Sequence, residues 1–194
     1  MLAGITIAID SGHGGNDQGA SFQDVYEAPL NLEIAKKIEK KLADMGATII
    51  MTRTDEKDLV NENVLNRKKE DMKKRMEIIN DEKNDLMISI HMNKYTSEDV
   101  HGIHVFYSDQ ITSSKEIATL LQNAINQQFS QNKSIKKQDF YLLRNAMIPS
   151  VLIECGFLSN ASDRNNLQKE SYQNQIAECI VQGITAYYQT KGFV

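Results

Sequence analysis

Residues 5–15 read Ile5-Thr6-Ile7-Ala8-Ile9-Asp10-Ser11-Gly12-His13-Gly14-Gly15. The first half of this stretch is short, apolar and rich in β-branched side chains, which is typical of a buried strand. The second half is a glycine-rich loop that carries one histidine. Glycines allow the backbone to turn sharply and to approach a bound group closely. We therefore predict a first strand over Ile5–Ile9 that ends in a loop with a candidate functional side chain.

Strand and helix patterns alternate along the rest of the chain. Apolar residues recur every four positions from Leu30 to Leu42, which predicts an amphipathic helix that ends at Gly46. Further strands are predicted at 48–51, 86–91, 103–107 and 151–155, a polar loop at 55–66, and further helices at 67–81, around 117–129 and around 176–187. The alternation predicts a single α/β domain over residues 1–194, with a mostly parallel central sheet and helices on both faces.

The composition excludes several classes of protein. The chain has 194 residues and a net charge of −4, without the basic excess of DNA-binding proteins, so we expect no nucleic-acid partner. The basic run Arg67–Arg75 could contact an anionic polymer, but a solvated helix face is the simpler interpretation. A chain of this length can bury a sizeable core without a metal ion or disulfide bonds to stabilise it. A metal site in this protein could therefore serve catalysis and would not be needed for folding.

Membrane segments and disulfides are also not predicted. No run of 18 apolar residues occurs, so we expect no membrane span. The apolar start, Met1–Asp10, is short and lacks a basic leader, which favours a strand over a signal peptide. Cys155 and Cys179 are too few for a disulfide framework and fit small buried apolar residues, with a bridge between them as the alternative.

Four side chains suited to metal binding or proton transfer fall near the ends of predicted elements. His13 follows the first strand, His91 ends the 86–91 strand, Glu154 lies near the end of the 151–155 strand, and Glu27 precedes the first helix. The carboxyl ends of parallel strands share one edge of a sheet. Two histidines and one glutamate form a catalytic zinc set with an open position, and Glu154 would then move the proton of the attacking water.

Each of these residues has a simpler interpretation. A lone histidine at a strand end is often a surface residue, and Glu27 is favourably placed near a helix N-terminus whatever its function. Glu154 is harder to explain that way, because a charge inside an apolar segment is costly to bury without a partner.

Two aspartates near His13 and the two remaining histidines are not predicted to bind the metal. Asp10 and Asp17 flank His13 and could fix its tautomer, although Asp17 equally suits a turn. His101 and His104 lie three positions apart, on opposite faces of a strand, and are predicted to be surface or rim residues.

Five blocks of the sequence resemble those of the N-acetylmuramoyl-L-alanine amidases of the Amidase_3 type. They are residues 10–20, Glu27 with 30–32, 51–53, 89–93 and 154–160, in family order and across nearly the whole chain. The resemblance implies an α/β amidase fold with one zinc ion. It implies His13, Glu27 and His91 as ligands and Glu154 as the catalytic glutamate.

Residues 51–80 are similar to the germination-specific members of that family. This likeness implies hydrolysis of the amide between N-acetylmuramic acid and L-alanine in peptidoglycan. It further implies a part in muramic-δ-lactam formation in the spore cortex, outside the cytoplasm. An accessory activator protein is a further candidate partner. Two alternatives stay open at this point: a zinc peptidase that cuts the stem peptide, and a non-catalytic peptidoglycan-binding module.

Three polar residues are candidate contacts for the substrate. Arg53 and Arg144 suit bidentate contacts with the carboxylates of a peptide stem, and ordinary surface salt bridges are their alternative. Asn93 lies in the block that contains His91 and is the third candidate. Arg75 flanks an apolar helix stripe, so we expect a structural role for it.

Overall fold

The structure, a computed structural model, describes residues 2–60 and 64–193, so that positions 61–63 of the predicted 55–66 loop lie outside the described residues. Its elements in chain order are β1 (Thr6–Ser11), β2 (Ser21–Phe22), β3 (Val25–Tyr26), α1 (Glu27–Asp44), β4 (Thr48–Met51), α2 (Arg67–Ile79), β5 (Leu86–Asn93), β6 (His104–Tyr107), α3 (Thr112–Gln128), β7 (Lys136–Lys137), α4 (Tyr141–Asn145), β8 (Ser150–Phe157), α5 (Ala161–Leu167) and α6 (Glu170–Thr190).

Six of the strands form one sheet in the order β4-β1-β5-β8-β6-β7. The pairs β1–β4, β1–β5, β5–β8 and β6–β7 are parallel, and β6–β8 is antiparallel. The predicted mostly parallel sheet is therefore confirmed. Apolar periodicity carries no information on strand direction, so the reversed β6 could not be read from its sequence.

Helices cover both faces of the sheet, but unequally. The larger core lies under α1, α3 and α6, with Ile34, Leu121 and Ile180 fully buried. The smaller core lies on the other face, where Met76 of α2 and Leu142 of α4 pack over the sheet. The thinner cover on this second face leaves room for a cavity above the carboxyl ends of the strands.

The predicted long elements are present, and their bounds agree closely except at two starts: α3 begins at Thr112 and not near 117, and α6 begins at Glu170 and not near 176. Helix α1 stops where expected, because Gly46 adopts a left-handed φ of 91° and its N–H donates to the carbonyl of Ala43 at 2.9 Å. The short elements β2, β3, β7, α4 and α5 were not predicted. Segments of two to seven residues are too short for an apolar period to repeat.

A buried ion cluster joins α2 to the end of β1. Arg75 is 1% exposed, and its guanidinium donates to Asp10 Oδ1 and to Asp71 Oδ2, both at 2.7 Å. Burial by itself favours the neutral acid at Asp10. The charges of Arg75 and His91 and the hydrogen bonds from Ser89 and Arg75 together outweigh burial and hold the pKa of Asp10 below its usual value. The structural role expected of Arg75 is confirmed, whereas Lys73 and its lysine neighbours form the solvated face predicted for this run.

The position of Asp10 corrects one prediction. Its carboxylate accepts from Thr52 Oγ1 at 2.9 Å and Ser89 Oγ at 2.6 Å, in addition to Arg75. Asp10 points into this buried cluster and does not orient the His13 ring, because the side chain of a strand residue is directed by the pleat and not by its neighbours in sequence.

We expect Arg75→Ala to lower the free energy of unfolding by about 3–5 kcal/mol, because it leaves two carboxylates buried without their cation. Urea unfolding followed by circular dichroism measures the change. The matched control is Lys73→Ala, which removes a cation of the same helix whose partner is the partly exposed Glu70. The control should leave stability almost unchanged. Equal stabilities of the two variants would contradict a stabilising ion cluster.

Candidate active site

The glycine loop after β1 holds His13 in an unusual backbone conformation. His13 has a φ of 61°, in the left-handed region that few non-glycine residues adopt. Two backbone hydrogen bonds close the loop, from Gly14 N–H to Asp17 O at 2.9 Å and from Asp17 N–H to Gly14 O at 3.0 Å. Arg75 Nη2 also donates to the carbonyl of His13 at 2.6 Å. Strained residues of this kind persist only where their surroundings hold them, and they are frequent at functional sites.

Three of the predicted site residues meet at the carboxyl edge of the sheet. Glu27 Oε1 lies 3.3 Å from His13 Nε2 and 2.7 Å from His91 Nδ1. One donor atom from each of the three side chains lies within 4.8 Å of the others, so the group can hold a metal ion. In residues 2–60 and 64–193 this is the one such cluster of three or more histidine, cysteine or acidic side chains.

Glu27 is the most firmly held member of this cluster. It begins α1, and its Oε1 accepts from Met92 N–H at 3.0 Å while its Oε2 accepts from Ala20 N–H at 2.7 Å. Burial raises the pKa of Glu27, but hydrogen bonds from His13 and His91 outweigh burial and keep the pKa far below its usual value. Glu27 is therefore an ionised carboxylate, the form that binds a metal.

Asp17 orients the His13 ring. Its Oδ1 lies 3.0 Å from His13 Nδ1, which leaves Nε2 directed at Glu27. Burial lowers the pKa of His13, and the contacts with Glu27 and Asp17 more than compensate, so that the net shift is upward. Asp17 Oδ1 also accepts from Gly19 N–H at 3.2 Å. The orienting role and the turn role predicted for Asp17 occur together.

The donor types are those that zinc sites use, and the cluster is compact enough to surround one ion. Zinc binds imidazole nitrogen and carboxylate oxygen at about 2.0–2.2 Å, so ligand atoms of a tetrahedral site lie about 3.3 Å apart. Nε2 of His13 lies at this separation from Glu27 Oε1, 3.3 Å, whereas Nδ1 of His91 lies at a hydrogen-bond distance of 2.7 Å and would have to move slightly outward around an ion. Two imidazoles and one carboxylate are also the donors of catalytic zinc sites, which keep one position open.

Glu154 lies beside this cluster on β8, in register with His91 of β5. It is 8% exposed, and its Oε2 has no hydrogen-bond partner among the described residues. Burial raises the pKa of Glu154 to about 7, far above the usual value for a glutamate. A carboxyl group with a pKa near neutrality can both accept and release a proton, as a general acid–base requires.

A cavity of about 650 Å³ contains the cluster and Glu154. One wall is apolar and is formed by Met72 of α2, Leu152 of β8 and residues 140–142 at the start of α4. The polar part of the lining includes Asp17, Asp58 and Lys68. The volume is in the range of ligand-binding pockets. The apolar wall was not predicted, because α4 has only five residues and no recognisable period.

Arg53 requires a correction, because the structure buries it away from the cavity. It is 4% exposed, and its guanidinium donates to the backbone carbonyls of Ser11, Gly12, Ala28 and Asp55. These bonds tie the glycine loop to α1 and to the segment after β4. The predicted contact with a substrate carboxylate does not fit a guanidinium that is already occupied by four carbonyls.

The other two candidate contacts lie outside the cavity lining. Arg144 is on the exposed side of α4 and pairs with Asp139 at 3.1 Å, which is the salt bridge considered as its alternative. Asn93 ends β5, and its Oδ1 accepts from Lys94 N–H at 2.8 Å. A contact of either residue with a substrate stays a prediction.

The predictions for the cysteines and for one of the two remaining histidines agree with the structure, and the prediction for the other histidine does not. His101 is exposed as expected, but His104 is only 9% exposed, so its assignment as a surface or rim residue was wrong. The antiparallel β6 carries His104 into the sheet beside β8. Cys155 and Cys179 are buried free thiols, as expected for small apolar residues.

The comparisons with known proteins establish the family of the chain. A family model described as N-acetylmuramoyl-L-alanine amidase, Amidase_3, matches residues 7–186. The chain belongs to this amidase family. The predicted resemblance is therefore confirmed, and the α/β fold with its mostly parallel sheet is the fold of the family's solved structures.

Relatives within the amidase family are similar over almost the full chain. The germination-specific N-acetylmuramoyl-L-alanine amidase of Bacillus subtilis is 36% identical over 98% of this chain and 83% of its own length. LytC of Bacillus subtilis, also an N-acetylmuramoyl-L-alanine amidase, is 30% identical over 97% of this chain and 36% of its own length. The structure of the CwlD amidase from Clostridioides difficile, in complex with the GerS lipoprotein, matches with a TM-score of 0.92, 36% identity, and coverage of 96% of this chain and 99% of that one.

Gly12 makes room for the ring of His91. A Cβ atom at Gly12 would lie 2.2 Å from Cε1 of His91, closer than any tolerated contact. We expect Gly12→Ala to displace the His91 ring and to weaken metal binding by the cluster, tested with zinc, at least about tenfold. Competition with a chromogenic zinc chelator measures the affinity.

The control for this variant is Gly4→Ala, at the opposite end of β1. Gly4 has a φ of 84° and open space around its Cα, so the substitution strains the backbone without touching the site. It should lower stability and leave zinc affinity unchanged. Unchanged zinc affinity in Gly12→Ala would show that the His91 ring does not need this space.

Proposed function

We propose that this amidase holds one zinc ion with His13, Glu27 and His91 and hydrolyses the amide between N-acetylmuramic acid and L-alanine in peptidoglycan. The observation that carries the proposal is the convergence of these three donors within 4.8 Å, beside a buried glutamate in one cavity. Membership of the amidase family supplies the bond that is cut.

Glu154 is the general acid–base of the proposed reaction. A bound zinc ion supplies Lewis acidity toward the scissile carbonyl and the attacking water. The Glu154 carboxylate takes one proton from that water as its oxygen attacks the carbonyl carbon. It then delivers the proton to the amide nitrogen as the carbon–nitrogen bond breaks, which releases the L-alanine amine. A pKa of about 7 suits both transfers.

Other side chains of the cavity hold the reacting groups in place. Asp17 keeps Nε2 of His13 directed at the ligand cluster. The hydrogen bonds of Glu27 with Met92 N–H and Ala20 N–H keep its carboxylate in position. The apolar wall with Phe140 and Leu142 excludes water from one side of the cavity and offers a surface for the less polar parts of the substrate.

The proposed setting is the spore cortex, outside the cytoplasm. Support comes from the similarity to the germination-specific amidase of Bacillus subtilis. Cleavage of the amide frees the lactyl carboxyl group of muramic acid, which formation of muramic-δ-lactam requires, so the amidase would act before ring closure and alongside a separate deacetylase. Among the described residues, no helix has the length and apolar character needed to cross a bilayer.

An accessory protein is proposed as a partner. Support comes from the similar CwlD structure, which was solved in complex with a lipoprotein. The substrate itself is the peptidoglycan polymer, and a partner would assist either contact with that polymer or retention of the metal.

The decisive test compares Glu154→Gln with His91→Ala and His13→Ala. Glu154→Gln removes the proton acceptor but no ligand, so amidase turnover should fall at least about a hundredfold while the zinc content stays equal to that of the unchanged protein. The two alanine variants should lose zinc as well as activity. Zinc is measured by atomic absorption, and activity by release of stem peptides from purified peptidoglycan.

Mass analysis of the products separates the proposed activity from its alternatives. Stems that begin at L-alanine support the amidase, and shortened stems would identify a peptidase instead. Binding of muropeptides without turnover, with zinc supplied, would identify a non-catalytic module. Full turnover by Glu154→Gln would refute the role given to that residue.

A further inference from the structure

Three ionisable side chains form a row across the neighbouring strands β5, β8 and β6, near the carboxyl ends of β5 and β8. In the sheet register, Glu154 of β8 pairs with His91 of β5 on one side and with His104 of β6 on the other. His91 belongs to the ligand cluster. His104 has no role in the proposed mechanism and lies at the other flank of the catalytic glutamate.

His104 and Glu154 lie on the same face of the sheet. Val105 belongs to the larger core, whereas Phe106 belongs to the smaller core on the cavity side, where it packs with Leu152. Side chains alternate along a strand, so His104 shares the face of Phe106 and Glu154 shares that of Leu152. Directly opposed residues of an antiparallel pair have Cβ atoms about 4.5–5.5 Å apart.

The two side chains have complementary hydrogen-bonding needs. Oε2 of Glu154 is buried and has no hydrogen-bond partner among the described residues. The ring of His104 stacks edge-on against Phe106 with centroids 6.1 Å apart, and burial together with Lys133 and Lys136 lowers its pKa to about 4. A neutral imidazole offers one N–H donor and one acceptor. His104 can therefore supply the donor that Glu154 lacks.

We propose that His104 is a positioning residue for Glu154, with its ring N–H donating to Oε2 directly or through one water molecule. The cross-strand spacing can be closed by rotation of the two side chains or by a bridging water. A donor on Oε2 fixes the plane of the carboxylate and leaves Oε1 to receive the proton of the attacking water. This inference rests on the proposed amidase function.

The test compares a nonpolar and a polar replacement of the ring. His104→Phe keeps the aromatic packing on Phe106 but removes both nitrogen atoms, whereas His104→Gln keeps an N–H donor near the position of Nε2. The Phe variant should lower kcat about 10–100-fold with KM within about twofold, and the Gln variant should recover most of that loss. A defined muropeptide is the substrate, with zinc content and the thermal midpoint measured on the same samples.

The matched control is His101→Phe, which changes an exposed histidine three positions away and should leave kcat, KM and zinc content unchanged. If His104→Phe does not fold, His104→Met serves as the second nonpolar variant. Wild-type kcat in a folded nonpolar variant overturns the inference. So does an equal loss in the nonpolar and Gln variants, or a loss accompanied by zinc release. If the unchanged protein with bound zinc fails to release stems, the proposed function itself fails, and the inference with it.

Discussion

The buried guanidinium of Arg75 is the interaction on which the active-site edge of this molecule depends. It donates to the carboxylates of Asp10 and Asp71 inside the protein, and it also donates to the carbonyls of Ser11 and His13. One side chain therefore holds α2 against the sheet and holds the loop that carries His13. A planar guanidinium with five N–H groups in a fixed geometry can satisfy several acceptors at once, which an ammonium group cannot do in the same way.

The two glutamates of the cavity have pKa values that their surroundings shift in opposite directions. Glu27 contacts two imidazole rings and two backbone N–H groups, and its pKa is held far below the usual value. Glu154 is buried, its Oε2 has no hydrogen-bond partner in the described part of the chain, and burial raises its pKa to about 7. The first carboxylate stays ionised and suits metal binding, and the second can exchange protons. Such divergence of two acids in one site is a recurrent sign of divided catalytic roles.

The local patterns of the chain predicted the long elements well and the short ones not at all. The apolar period of α1 and the β-branched run of β1 are strong signals, because each repeats over several turns or residues. The direction of β6 and the existence of α4 had no such signal. Those two features matter for the site: β6 brings His104 beside Glu154, and α4 supplies part of the apolar cavity wall.

The sequence by itself determined the fold class and pointed to His13, Glu27 and His91 as candidates. Two of them follow or end predicted parallel strands, whose carboxyl ends share one edge of a sheet, and Glu27 lies at the start of α1. Only the tertiary structure decided how the surrounding polar groups are used. Arg53 turned out to bind four carbonyls, and Asp10 turned inward to Arg75 instead of toward His13. The partner of a buried polar group is set by which segments meet in space, and those segments are 42 and 65 residues apart in the Arg53–Ser11 and Arg75–Asp10 contacts.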